Sequence, residues 1–216
     1  MKRNEIKSRI RDKLDDKSDT GVFFTDAQLD ELVDEAQELL VGETKSIHRT
    51  VTIPIRPGGQ FIYLPSFSPD CMMPVRIWNT SNTYRLQVTS IDNLSSFHQK
   101  WPTVTGPDPQ FWFTVSWDIV GIFPRPVAGS GVLKIDYLAW PRGLNDDEDS
   151  PELMAASHDA IVLFAAYLGE LKKWNAISAG NFFLELQKHG MFADARSNVG
   201  KIIHRTFNRT GPHNRS

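Results

Sequence analysis

Apolar residues recur with two different periods along the chain, and the places where the period changes divide it into regions. Ile6, Ile10 and Leu14 are spaced by four, which predicts a short amphipathic helix from about residue 2 to 16. A second helix is predicted to start at Thr25. Thr25 and Gln28 have the spacing of a capping box, and Phe24 and Leu29 stand in the staple positions on either side. Leu29, Leu32, Val33, Ala36, Leu39 and Leu40 give that helix one apolar stripe, with Gly42 as its expected stop. From His48 the period falls to two. H-R-T-V-T-I-P-I and Q-F-I-Y-L-P read as two strands joined by a turn at P-G-G, followed by strands at P-V-R-I-W-N, T-Y-R-L-Q-V, Q-F-W-F-T-V, D-I-V-G-I-F and G-V-L-K-I-D-Y-L-A-W. A small helix at about 90–98 interrupts them.

The helical period returns at Ser150. Ser150 is placed to cap, Pro151 suits a first helical position and Glu152 complements the helix dipole. Leu153, Ile161, Phe164, Leu168 and Leu171 form the main face, and the alanines at 155, 156, 160, 165 and 166 put small residues on the flanks, so this helix should be enclosed on more than one side. Another helix, from about 175 to 189, carries Ile177, Phe182, Phe183 and Leu186. Helices at both ends must bury their stripes, and the simplest solution is an α+β fold: a helical bundle made by both chain ends, with an inserted antiparallel β-sandwich or barrel-like domain. The expected divisions are 1–45, 46–146 and 147–192, followed by an extended tail over 193–216. The N-D-D-E-D run at 145–149 is expected to keep the crossing between domains in water.

Composition narrows the function. The net charge of -2 gives no global preference for nucleic acid, and the single cysteine, Cys71, excludes an internal disulfide framework or a thiolate cluster. No run is long enough to span a bilayer, and the N-terminus lacks the apolar core of a signal peptide, so no membrane partner is expected. The candidates for chemistry fail one by one. His158 and Asp159 are adjacent on a helix and leave it roughly 100° apart, so they cannot act as a base and its orienting acid. Asp146, Asp147, Glu148 and Asp149 lack the spacing of a calcium loop. Cys71 has no base nearby, and the histidines at 48, 98, 158, 189, 204 and 213 show no metal-ligand spacing. No cofactor and no catalytic group is expected. Two other classes stay open: a carbohydrate- or nucleic-acid-binding β-module using Trp78, Trp101, Trp112 and Trp117, and a hydrolase using Asp70, His98 or His158.

Charge placement says more. Residues 25–43 hold seven acids and no base, with Asp26, Asp30, Asp34 and Glu38 stacked along one side of the helix, where like charges weaken it slightly. This marks a candidate acidic interface, or a surface that repels DNA. After Asp194 the chain has no acid and five Arg or Lys residues. Ile202, Ile203 and Phe207 are isolated apolar residues of the kind that become ordered on a partner.

The T-D-A-Q-L-D-E-L-V-D-E-A-Q helix start, the F-P-R-P-V-A-G-S-G-V-L-K-I-D-Y-L-A-W-P-R-G-L-N-D-D-E-D-S-P-E-L run and the alanine-rich helix after it resemble the adaptor, or head-to-tail connector, proteins of tailed bacteriophages. The resemblance implies a structural protein of the virion neck. It would form a ring, typically of twelve copies, beneath the portal protein, contacting the next neck or tail component and letting double-stranded DNA pass through its lumen. It also implies that Lys201, Ile202, Ile203, His204, Arg205, Phe207 and Arg209 lie in a tail that docks between portal subunits, and that the region from about Ile47 to Trp140 contacts the next ring or neighbouring copies. Which of Asp26, Asp30, Asp34 and Glu38 face a lumen is left open by the motifs.

Overall fold

A computed structural model describes residues 1–16, 22–80, 83–127 and 131–188. The chain divides into two compact units: Met1–Thr44 together with the chain from Pro141 onward, and Lys45–Trp140, which lies between those parts in sequence. The fold is mixed α+β.

The helical unit holds α1 (Arg3–Leu14), α2 (Asp26–Thr44), α4 (His158–Lys172) and α5 (Ala176–Lys188). α4 packs against α1, α2 and α5, and α1 also touches α2. A helix with three neighbours must be apolar nearly all round, and every residue from Ala160 to Ala166 is buried, as the small-residue flanks suggest. Gly169 lets α1 approach closely: a Cβ there would stand 2.9 Å from a methyl of Leu14. The predicted capping box at the start of α2 is present. The Thr25 N–H donates to Gln28 Oε1 at 2.9 Å, and the Gln28 N–H donates to Thr25 Oγ1 at 3.3 Å. Its predicted stop is not. The helix runs through Gly42 to Thr44, whose hydroxyl donates to the Leu40 carbonyl, and Lys45 (φ 51°) adopts the left-handed conformation that follows it.

α4 also departs from the sequence reading, because Ser150 and Pro151 start no helix. Residues 145–149 spend their backbone on α1 instead. The N–H groups of Arg3 and Asn4, which a helix cannot satisfy from within, donate to the carbonyls of Asp149 and Asp147 at 2.8 and 3.1 Å. Asp149 Oδ2 folds the same loop by accepting from the N–H groups of Asn145 and Asp146. The N-D-D-E-D run is therefore a cap on α1 and not merely a solvated crossing.

The β unit is a sandwich and not a closed barrel. One sheet has the order β1 (His48–Pro54), β10 (Val132–Ala139), β3 (Cys71–Asn79), β4 (Tyr84–Arg85), all antiparallel. The other has β2 (Phe61–Tyr63), β8 (Ile119–Phe123), β7 (Phe111–Thr114), β5 (Gln87–Val88). The expectation of purely antiparallel pairing fails at two short places: β5 runs parallel to β7, and β6 (Thr105–Gly106) parallel to β9 (Arg125–Pro126). Ile53, Ile77, Leu133 and Ile135 meet Trp112, Val120 and Ile122 in the core. Beneath α3 (Ile91–Phe97) a smaller cluster of Leu94, Trp101, Phe113 and Phe123 covers the outer face of β7 and β8. Alternation sends Trp112 into one cluster and Phe113 into the other, which accounts for the density of aromatics in this strand. Gly121 is required here, since a Cβ would lie 2.2 Å from the Phe113 ring across the strand pair.

Candidate assembly surfaces

The acidic side of α2 is largely engaged within the helical unit. Arg11 bridges Asp26 at 2.7 Å and Asp16 at 2.9 Å. Asp16 is buried and also accepts from the N–H groups of Phe23 and Phe24, which fixes the chain just ahead of α2. Asp30 sits between Arg3 at 3.0 Å and Lys7 at 3.1 Å, and Lys7 turns its other side to Asp147 at 2.6 Å. Lys2 pairs with Glu148, and an Arg3 guanidinium N–H donates to the Asn145 carbonyl. Asp34 is half-buried and accepts weakly from the Leu144 N–H at 3.4 Å. Glu38 is exposed, as are Glu31 and Glu35.

The electrostatics follow. Burial opposes the Lys7 charge, but hydrogen bonds to Asp147 and Asp30 outweigh it and raise the ammonium pKa. The Arg11 hydrogen bond holds the Asp26 carboxyl below its ordinary value. Burial raises Asp34, with the Leu144 N–H pulling the other way. Sequence reasoning singled out the stacked acids and missed the basic residues of α1 as their partners. The signal was there: Arg3, Lys7 and Arg11 are also spaced by four.

The residues weighed for chemistry sit in structural roles. The His158 ring is buried, its Nε2–H donating to the Leu153 carbonyl at 3.0 Å while Nδ1 accepts from the Met1 amino group at 2.8 Å. Asp159 points outward to Arg9. Asp70 pairs with Arg49 and accepts from the Tyr137 hydroxyl. His98 lies against the Phe123 ring. Burial pushes the Cys71 thiol up to about 11, which keeps it protonated and unreactive at neutral pH. No group of three or more potential metal ligands occurs among the described residues, and no helix among them is long and apolar enough to cross a membrane. Of the four tryptophans considered as stacking platforms, Trp101 and Trp112 are buried, Trp78 donates to Asp136, and Trp117 alone stands out at 79% exposure.

What the helical unit does expose is a corner. α4 ends in a Schellman turn: the Asn175 N–H donates to the Glu170 carbonyl at 2.9 Å, and the Trp174 N–H to Leu171 at 3.0 Å. The residue in the left-handed position of such a turn is usually glycine, and here it is Trp174, with φ 59°. A bulky residue there costs on the order of 1 kcal/mol. Its side chain is 94% exposed. Asn175 caps the next helix, accepting from the Ser178 N–H. Ile177, expected on the inner face of α5, lies half a turn away from Ala179, Phe182, Phe183 and Leu186 and is 82% exposed. Phe23 is exposed beside this corner, its ring 5.6 Å from the Lys173 ammonium. The predicted docking residues Lys201, Ile202, Ile203, His204, Arg205, Phe207 and Arg209 lie outside the described residues.

Large apolar groups left facing solvent are a feature of protein–protein contact surfaces. The chain belongs to the SU10 adaptor protein family, a phage head-tail adaptor family whose model matches residues 1–211. Membership makes it a structural component of the virion that interacts with other head-tail components, and it points away from enzymatic activity. No curated protein matches the chain.

Proposed function

We propose that this protein is the neck adaptor that joins the portal of the DNA-filled head to the tail. Copies assemble into a ring, of twelve by analogy with adaptors, and genomic DNA passes through the lumen. In this reading the helical unit, Met1–Thr44 with the chain from Pro141, is the bundle, and the β unit, Lys45–Trp140, meets neighbouring copies or the next component. The tail, 193–216, docks on the portal through Lys201, Ile202, Ile203, His204, Arg205, Phe207 and Arg209. Since Asp26 and Asp30 are neutralised by α1, the acids left for a lumen or subunit interface are Glu38 and its neighbours Glu31 and Glu35, with Asp34 half-buried behind them.

The observation that carries this reading is the family match, which runs through both units and into the basic tail. Sedimentation of the purified chain with portal rings of the same phage tests it. A portal-bound species of many copies is expected, and a chain that sediments separately from portal at every ratio would overturn it. Removing residues 201–216 should leave melting nearly unchanged and abolish portal binding.

A further inference from the structure

Among the described residues nothing packs on the outward side of α5. Ile177 and Leu184 stand exposed on it with Gly180 between them, nothing lying within 4 Å of the place its Cβ would occupy, and Trp174 stands exposed in the turn that leads into the helix. A glycine in the middle of a helix weakens it, and packing within the described residues gives no reason for this one. An exposed tryptophan held in a strained turn and a small residue flanked by two large apolar ones are together what a close-packed contact with another protein requires. The charges at the margins are of one sign. Lys172 precedes the turn and Lys188 ends the helix, both exposed and without an ion-pair partner among the described residues, while the one acid of α5, Glu185, is turned to Lys13.

We infer that the surface formed by Trp174 and the Ile177–Leu184 face of α5 docks into an apolar groove with acidic edges on the portal protein. The contact stands just before the basic tail in sequence, and in the neck-adaptor reading both address the portal. The inference rests on the neck-adaptor reading and adds an ordered anchor to it: the tryptophan fills a pocket, the helix lies along the groove over Gly180, and the lysines meet the acidic rim.

The test uses the full chain and portal rings of the same phage, with binding measured by sedimentation alongside thermal melting. Trp174→Ala should weaken portal binding about 30-fold or more without lowering the melting temperature, the size expected of a central hot spot. Gly180→Ala should raise melting by roughly 2–4 °C yet weaken binding, an opposition that a merely structural glycine would not show. Lys172→Glu with Lys188→Glu should weaken binding and reduce its salt dependence. Wild-type affinity in the Trp174 and Gly180 variants would overturn the inference while leaving the adaptor reading intact. Unchanged portal binding combined with lost self-association would also overturn it, showing that a second copy covers this face. Absence of portal binding by the wild-type chain would overturn the adaptor reading itself.

Discussion

Around Asp30, two cations of α1 and a loop from the far end of the chain are gathered into one ionic cluster, whereas at Gly121 the closest contact is a phenyl ring laid against bare backbone. Both places bring together residues that are distant in sequence, with different forces. The β unit comes from one continuous stretch, and its register is set by strand pairing and side-chain alternation, so non-directional apolar burial suffices to close it. The helical unit is made from two separated stretches. Apolar stripes alone would let α1 slide or rotate on its neighbours, and charge pairs with defined partners fix one position. The difference predicts that one unit responds to volume changes and the other to charge, salt and pH.

The largest effect should come from Phe113→Ala, which empties the space over Gly121. A loss of about 3–5 kcal/mol in urea unfolding is expected, with little change between low and high salt. Next is Asp30→Ala, which removes one partner from each of two mostly buried cations, leaving Arg3 on the Asn145 carbonyl and Lys7 on Asp147. A loss of about 1–3 kcal/mol is expected, smaller at high salt, with circular dichroism reporting lost helix.

The pH response separates the units further. Asp26 has a lowered folded-state value, so its contribution is present above the ordinary aspartate value of 3.8 and is lost as pH falls through the folded one. Lys7 has a raised value, so its contribution is complete below 10.5 and is lost as pH climbs through the folded one. Asp34 acts in the opposite sense to Asp26. Its raised value favours the protonated form, a benefit that disappears as pH rises through it, so Asp34→Asn should be neutral or slightly stabilising at pH 7. A pH series of melting curves should show the helical signal failing before the tryptophan signal of the sandwich at both extremes. The smallest effect is that of Arg9→Ala, whose pair with Asp159 is exposed on both sides: within about 0.5 kcal/mol.

Features fixed by neighbours along the chain were legible. The capping box at Thr25, the small helix at about 90–98, the strand alternation and the order of elements all follow from local chemistry. Failures occurred where a distant partner decides. Ser150-Pro151-Glu152 has every local mark of a helix start, but the loop before it is bound to the N-terminus of α1, and the helix begins at His158. Ile177 is a different kind of failure: it reads as core with Phe182, Phe183 and Leu186 because it is apolar, yet the helical period alone puts it opposite Leu186. Trp174 had no signal at all, since tryptophan is rare where glycine is expected. The acids of α2 were legible as a cluster but not as a neutralised one, because their partners come from another helix.

Electron microscopy of the full chain bound to the portal of the same phage tests the central claim most directly. Class averages should show a ring of adaptor copies under the portal, coaxial with it and open at the centre. A portal left bare at saturating adaptor, or adaptor bound as scattered single copies without a closed ring, would contradict the account.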